Sequence, residues 1–153
     1  MTLDHTQTIR KHAFVQGLGD AQIASLSELA TEVRFEENEL ILLDGQRSAY
    51  FYLLVAGSVA VELRTPRYAV CVEALGPGQV FGWSALLEHQ DTLFQVRARE
   101  GTTALRLDGG ALKTKCHAEP ELGTEILQRT LQVVAGRVKA TERRFAEMCG
   151  IRV

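Results

Sequence analysis

The sequence predicts a mainly β fold with flanking helices, a β-roll of jelly-roll type (a double-stranded β-helix) followed by a long C-terminal helix. Three observations support this prediction. Between about residues 31 and 107, apolar and polar side chains alternate over short segments, as in half-buried strands. Glycine and proline turns break these segments about every 8 to 12 residues. On both sides of this region the apolar spacing becomes helical.

Length and composition are those of one globular domain. The chain has 153 residues, 46% of them hydrophobic and 24% charged, and a formal net charge of −2. This balance argues against a dedicated DNA-binding protein, because a basic excess supplies most non-specific affinity for DNA. No apolar run approaches the roughly 20 residues of a membrane span, and residues 1–11 lack the apolar middle of a signal peptide. We expect a single cytoplasmic domain over residues 1–153 that by itself binds neither nucleic acid nor a membrane.

Residues 1–30 are predicted to form N-terminal helices. Ile9, Ala13 and Phe14 begin a first apolar stripe. Asp20 is expected to be the N-cap of a second helix, in which Ile23 and Leu26 follow at helical spacing. The β-roll is expected to begin at residue 31.

About eight short strands are predicted over residues 31–107. They are centred on residues 33–35, 40–43, 50–55, 59–63, 70–72, 80, 94–98 and 104–107. Between residues 83 and 88 the sequence instead favours a single helical turn. Many short strands with glycine at the turns are typical of a sandwich or barrel.

Helical spacing returns after Asp108, with a short helix predicted over 108–119 and a long helix over 120–149. Pro120 suits the first turn of that helix, and Gly150 follows its end. One face carries a seam with the 4-3 spacing of a heptad repeat, formed by Leu127, Leu131, Val134, Val138, Thr141, Phe145 and Met148. A second stripe would pack on the helix's own domain: Leu122, Ile126, Thr130 and Val133. Two apolar faces favour a homodimer through this helix, the alternative being a helix buried wholly on its own domain.

Residues 75–87 (LGPGQVFGWSALL) form the segment with the most chemical information. Its glycine spacing does not fit a dinucleotide fingerprint, and the Gly-Lys-Ser/Thr of a Walker loop is missing. The segment predicts a tight turn, a short strand, and Gly82 directly before the helical turn. Unpaired N–H groups of Ser84, Ala85 and Leu86 would favour an anion there.

Together with its surroundings, this segment resembles the cyclic-nucleotide-binding domain of the cAMP receptor protein (Crp/Fnr) superfamily. Residues 14–20 (FVQGLGD) are similar to the family's entry helix, and residues 52–59 (YLLVAGSV) to a strand pair with a glycine at the bend. Residues 75–82 lead into the place of the phosphate-binding cassette, and the helices after residue 108 match the family's B and C helices. The resemblance implies a non-catalytic, ligand-sensing regulatory module with no cofactor, whose ligand is a cyclic nucleotide or another small anion.

The cassette departs from the family pattern at the positions that bind the nucleotide. Binding members have Phe-Gly-Glu before Ala-Leu and an Arg several residues later, which bind the ribose hydroxyl and the cyclic phosphate. Here Trp83 stands in the Glu position, and Asp91 or Thr92 in the Arg position. Loss of a charge-assisted hydrogen bond lowers affinity about 10- to 150-fold. We therefore expect cAMP and cGMP to bind weakly.

The predicted ligand-binding residues lie in the cassette, on the strand after it and on the long helix. They are Phe81, Gly82, Trp83, Ser84, Ala85, Leu86, Asp91, Thr92, Arg97, Arg99 and Thr141. Arg97, Arg99 or the long helix would have to supply the missing positive charge. The alternative for the two arginines is a solvated strand face. Thr141 is either a base contact or, as the stronger interpretation, a seam residue.

The histidines and cysteines predict neither a metal site nor a catalytic site. The four histidines show no HxH or HxxxH spacing, which excludes the clustered imidazoles of a metal-dependent cupin. The three cysteines are odd in number and far apart, so we expect reduced thiols, with Cys71 buried on its strand. Haem-sensing members exist in the superfamily, and Cys71 or His89 as an axial ligand is an alternative.

Two functions of different class remain open. One is a small-molecule receptor whose cassette binds a nucleotide or another compact anion. The other is a degenerate module that keeps the fold as a dimerisation or protein-docking platform. In larger regulators a helix-turn-helix module follows the long helix; here none is expected, so the chain would be a free-standing sensor or the sensor part of a transcription regulator. A basic patch of Arg137, Lys139, Arg143 and Arg144 is the feature that would favour DNA binding.

Overall fold

Eight antiparallel strands form two four-stranded sheets in the computed structural model, which describes residues 4–88 and 93–152. The strands are β1 (Ala30–Phe35), β2 (Leu40–Leu42), β3 (Tyr50–Ala56), β4 (Val59–Arg64), β5 (Ala69–Leu75), β6 (Val80–Phe81), β7 (Phe94–Ala98) and β8 (Thr102–Asp108). The first sheet has the order β1-β8-β3-β6 and the second the order β2-β7-β4-β5. The predicted mainly β fold with flanking helices is confirmed.

The alternation of side chains along the strands creates two apolar cores. Tyr52 and Leu54 of β3 point into the roll, where they meet side chains of both sheets. Phe51 and Leu53 of the same strand point the other way and pack against the helices. The first sheet is therefore apolar on both faces, and it places the interior of the roll on one side and the helical layer on the other.

The N-terminal segment forms helix α1 (Thr6–Arg10), a 3₁₀ turn (Ala13–Val15) and helix α2 (Asp20–Ser27). The prediction of Asp20 as the N-cap of α2 is wrong, because Gly19 is the cap and donates its N–H to Gln22 Oε1 at 3.0 Å. Asp20 is the first residue of the helix, and its carboxylate binds Arg10. An acidic side chain in the first turn also suits the positive end of the helix dipole.

Helix α3 (Gly109–Ala118) and helix α4 (Pro120–Met148) follow the last strand. Asp108 caps α3 by accepting a hydrogen bond from the N–H of Ala111 at 2.8 Å. The two helices cross so closely at Gly123 that a Cβ there would overlap the carbonyl oxygen of Cys116. Glycine costs about 1 kcal/mol of helix propensity relative to alanine, but at this position the crossing requires it.

The two apolar faces of α4 have different environments. Leu122, Ile126 and Thr130 are buried on the domain, which confirms the predicted packing stripe. The seam residues remain largely exposed in the single chain, with exposed fractions of 55% for Leu127, 67% for Leu131 and 67% for Phe145. The domain therefore covers one face of α4 and leaves the other uncovered.

Candidate functional site

The cassette segment turns sharply after β6. Gly82 has a φ of +81°, in the left-handed region, and the 3₁₀ turn Trp83–Leu86 follows it. A Cβ at Gly82 would lie 2.5 Å from the carbonyl oxygen of Tyr50, so the turn can approach β3 only with glycine at this position. The helical turn predicted for this part of the sequence is confirmed, as a 3₁₀ turn.

Two serines fasten this turn to the beginning of β3. The N–H of Ser48 donates to Ser84 Oγ at 2.9 Å, and Ser48 Oγ donates to the carbonyl oxygen of Tyr50 at 2.6 Å. Both serines are buried. Buried polar atoms are costly unless they are paired, so these bonds fix the turn against the sheet.

A small cavity lies behind the turn, inside the roll. Its volume is about 30 Å³, and its lining is formed by Leu42, Val61, Phe81, Gly82, Trp83, Ser84, Phe94, Val96 and Arg137. We call it the cassette cavity. Small-molecule sites usually measure about 300–1,000 Å³, so in this conformation the cavity cannot hold a nucleotide.

Arg137 is the one charged side chain that lines the cassette cavity among the described residues, and it comes from α4. Its side chain is 9% exposed, and its Nε donates to Glu73 Oε2 at 2.6 Å. Glu73 lies on β5 directly opposite Val61, a core residue of the roll, so it shares the inward face of the sheet. Arg137, one of the four residues of the basic patch that would favour DNA binding, is therefore buried and paired instead of exposed.

The structure brings four of the predicted cassette residues together around the cavity: Phe81, Gly82, Trp83 and Ser84. Ala85 and Leu86 are buried in the same turn but do not line the cavity. Leu86 packs instead in the core on the helical side of the first sheet. Asp91 and Thr92, which stand in the place of the phosphate-binding arginine, lie outside the described residues, as does His89.

Arg97, Arg99 and Thr141 do not reach the cassette cavity. Arg97 donates to Glu62 Oε1 at 3.2 Å and to the carbonyl oxygen of Asn38 at 2.9 Å. Arg99 is exposed. The hydroxyl of Thr141 donates to the carbonyl oxygen of Arg137 within α4 at 2.8 Å. Phe94 and Val96, on the opposite face of β7, line the cavity instead.

Sequence reasoning missed the pair of Glu73 and Arg137. A signal for Arg137 was present, because position 137 continues the buried stripe of α4 four residues after Val133. A charged residue in a buried stripe predicts a specific partner. The partner lies 64 residues away along the chain, on another element, and helical spacing alone does not identify it.

The cysteines and described histidines form no second site. Cys71 is exposed, so its predicted burial is wrong: a bulge between Val61 and Glu62 brings Cys71 opposite Glu62. Burial raises the pKa of the Cys116 thiol, and Glu119 nearby adds to the effect. Among residues 4–88 and 93–152, no three His, Cys, Asp or Glu side chains are grouped closely enough to hold a metal ion.

The family follows from the match of the chain to a known domain. The family model described as "Cyclic nucleotide-binding domain" matches residues 32–119, which is more than half of the chain. The chain belongs to the cyclic nucleotide-binding domain family. The matched region of this domain contains every strand from β2 to β8, the cassette turn and α3.

Solved structures share the fold of this cyclic nucleotide-binding domain. A cyclic nucleotide-binding domain from Methylobacillus flagellatus superposes with a TM-score of 0.80 at 19% identity, covering 94% of this chain and 84% of that one. The sensor domain of the transcriptional regulator DNR from Pseudomonas aeruginosa gives a TM-score of 0.69 at 17% identity, with 88% and 91% covered. The chain thus shares its fold with a solved cyclic nucleotide-binding domain and with the sensor domain of a transcriptional regulator.

Sequence relatives include ion channels. The domain is 30% identical over 110 residues to potassium channel AKT6 of Arabidopsis thaliana, which covers 70% of this chain. The chain spans 12% of the length of that channel and 27% of the length of a bacterial relative. No helix within the described residues is long and apolar enough to cross a bilayer.

Proposed function

We propose that this cyclic nucleotide-binding domain is a non-catalytic, ligand-sensing regulatory module whose cassette cavity binds a compact organic anion, and that cAMP and cGMP bind it weakly. The single observation that supports this proposal most is the cassette cavity itself. It is small and largely apolar, and a buried guanidinium from α4 lies in its wall. Among the described residues, Glu73 accepts a hydrogen bond from Nε alone, so the remaining donors of this guanidinium favour an anionic ligand over a neutral one.

Two features support weak binding of the family's usual nucleotides. Trp83 lines the cavity, and the resemblance places it where binding members carry the ribose-binding carboxylate, a hydrogen-bond acceptor that an indole does not provide. The cavity of about 30 Å³ must also enlarge before a nucleotide can enter. The missing acceptor removes a hydrogen bond to the ribose. The need to enlarge the cavity lowers the apparent affinity further, because the enlarged state must first be populated.

The test uses the single tryptophan of the chain as a reporter. Because Trp83 lines the cassette cavity, a ligand that enters the cavity should change its emission. We expect dissociation constants for cAMP and cGMP at least about tenfold above those of a relative with the cassette Glu and Arg. A panel of cyclic mono- and dinucleotides, screened by thermal shift, would find a tighter ligand through a rise of about 2.7 kcal/mol in unfolding free energy at 100 times the dissociation constant.

Submicromolar binding of cAMP to the unmodified chain would contradict the proposed weak binding. Failure of every panel member, and of benzoate as a simple carboxylate, to change either Trp83 emission or the melting temperature would contradict the receptor function. That second result would favour the alternative, a module that keeps the fold as a docking platform.

A homodimer through α4 is the second part of the proposal. Its support is the uncovered seam: Leu127, Leu131 and Phe145 are each more than half exposed, and Met148 is 62% exposed. Large side chains in a heptad repeat rarely stay in contact with water over several turns. A second copy of the chain presents the same repeat, and in a parallel pair the two seams would cover each other.

A further inference from the structure

We infer that Arg137 is the anchor for the anionic group of the ligand, and that Glu73 is a built-in counterion which the ligand must displace from it. The inference rests on the proposed receptor function and specifies the chemistry of the same cavity. It assigns a binding role to a residue of α4 and a competing role to a residue of β5.

The hydrogen bonding of Arg137 leaves most of its donors free. Its side chain is 9% exposed, and a guanidinium this deeply buried requires a counterion. The bond from Nε to Glu73 supplies one. Arginine and carboxylate usually form two parallel bonds, yet in the part of the chain that the structure describes neither Nη1 nor Nη2 has an acceptor. The guanidinium is thus neutralised while its terminal donors stay available.

The position of Glu73 allows it to leave the pair. Its side chain is 26% exposed, and it lines an open cleft of about 330 Å³ between α4 and the N-terminal segment, together with Phe14 and Gly136. Arg137 lines both this cleft and the cassette cavity, whereas Glu73 lines only the cleft. A displaced carboxylate would therefore move into solvent-accessible space, where it is hydrated.

The cavity lining indicates the class of ligand. Apolar side chains cover most of the wall, among them Val61, Phe81 and Phe94, and Arg137 contributes the charge. A ligand that suits both features carries one phosphodiester or carboxylate group on an apolar or aromatic body. Both groups match the planar donor fork of arginine, which binds either of them in a bidentate manner.

Exchange of the counterion also affects how α4 is held. The bond between Arg137 and Glu73 joins α4 to β5 next to the cassette cavity. When a ligand takes the place of Glu73, this direct link between helix and strand is lost and a link through the ligand replaces it. The cavity can then enlarge on the side of α4.

The experiment compares three variants with charged and neutral ligands. Glu73→Gln frees the guanidinium, Glu73→Gln with Arg137→Gln replaces the ion pair by two amides, and Arg144→Gln is the matched control, since it breaks another ion pair of α4. The probes are cAMP, benzoate as a carboxylate on an aromatic body, and adenosine as the neutral counterpart of cAMP. Trp83 emission and calorimetry give the dissociation constants, and circular dichroism checks the fold.

We expect Glu73→Gln to bind cAMP, benzoate or both about tenfold more tightly than the unmodified chain, with no change for adenosine. The double variant should lose this gain, and Arg144→Gln should behave like the unmodified chain. A gain with benzoate alone would assign a carboxylate ligand, and a gain with cAMP alone a phosphodiester.

Equal binding by the double variant and the Glu73→Gln variant would overturn the role of Arg137 and leave the receptor function intact. An equal gain with adenosine would also overturn it, because the neutral probe has no group for the guanidinium. If Glu73→Gln responds to no probe, the inference is wrong, whereas the receptor function fails only if the unmodified chain also binds neither benzoate nor any member of the nucleotide panel.

Discussion

At the scale of single residues, His12 shows how one buried side chain holds the N-terminal segment on the roll. Its Nδ1 accepts a hydrogen bond from the N–H of Phe14 at 3.2 Å, so the ring proton lies on Nε2, which donates to the carbonyl oxygen of Leu54 at 2.9 Å. A second proton would have to sit on Nδ1, opposite another donor. Burial lowers the pKa of His12, although the bonds to main-chain carbonyl oxygens act the other way.

This pKa predicts how stability depends on pH. In the unfolded chain His12 titrates near its ordinary value of 6.5, and in the folded chain it titrates lower. Below about pH 6.5 the unfolded state therefore binds more protons, and the free energy of unfolding should fall as the pH decreases towards the folded pKa. Urea unfolding at pH 7.5 and pH 5.5 measures this loss. His12→Gln should reduce it, whereas the exposed control His117→Gln should keep it; equal losses in both variants would contradict the prediction.

At the scale of elements, the strands and the cassette turn could be predicted from the sequence, because each depends on local pattern. Alternation and turn glycines are sufficient to predict all eight strands, and Gly82 before a helical turn predicts the cassette. The ion pair of Glu73 and Arg137 could not be predicted in this way. It depends on the register of β5, which a bulge at Val72 of that strand changes, and on the rotation of α4 against the strand.

The cassette turn itself can be tested by restoring the family's residues. Trp83→Glu combined with Thr92→Arg, or with Asp91→Arg, provides both charged groups in the two alignments that the sequence allows. One of the two double variants should bind cAMP at least about tenfold more tightly than the unmodified chain, because each charge-assisted bond contributes about that factor or more. Calorimetry measures the gain, and Trp83→Phe with the same second substitution is the control. No gain in either double variant would show that the scaffold is not a decayed nucleotide site.

At the scale of the whole molecule, α4 connects the cassette cavity to the exposed seam. Arg137 lines the cavity, and Val138, which is 51% exposed, follows it directly in the seam. Both residues belong to α4, in which successive side chains differ in direction by about 100°. A movement of the helix at Arg137 therefore also moves the seam. A ligand that moves the guanidinium would therefore alter the exposed seam, which is the surface of the proposed homodimer.

The seam is tested by charge. Replacing Val134 and Val138 with Glu places like charges opposite each other in a parallel dimer, where burying them without partners is strongly unfavourable. Sedimentation should then give a monomer with an unchanged β-rich circular dichroism spectrum, while the unmodified chain should sediment as a dimer at tens of micromolar. Gln132→Glu with Lys139→Glu adds two acidic groups to exposed positions beside the seam and should leave the dimer intact. An unmodified chain that is monomeric at that concentration would exclude the homodimer. If the control variant is also monomeric, the effect of Val134→Glu and Val138→Glu is due to net charge and not to the seam.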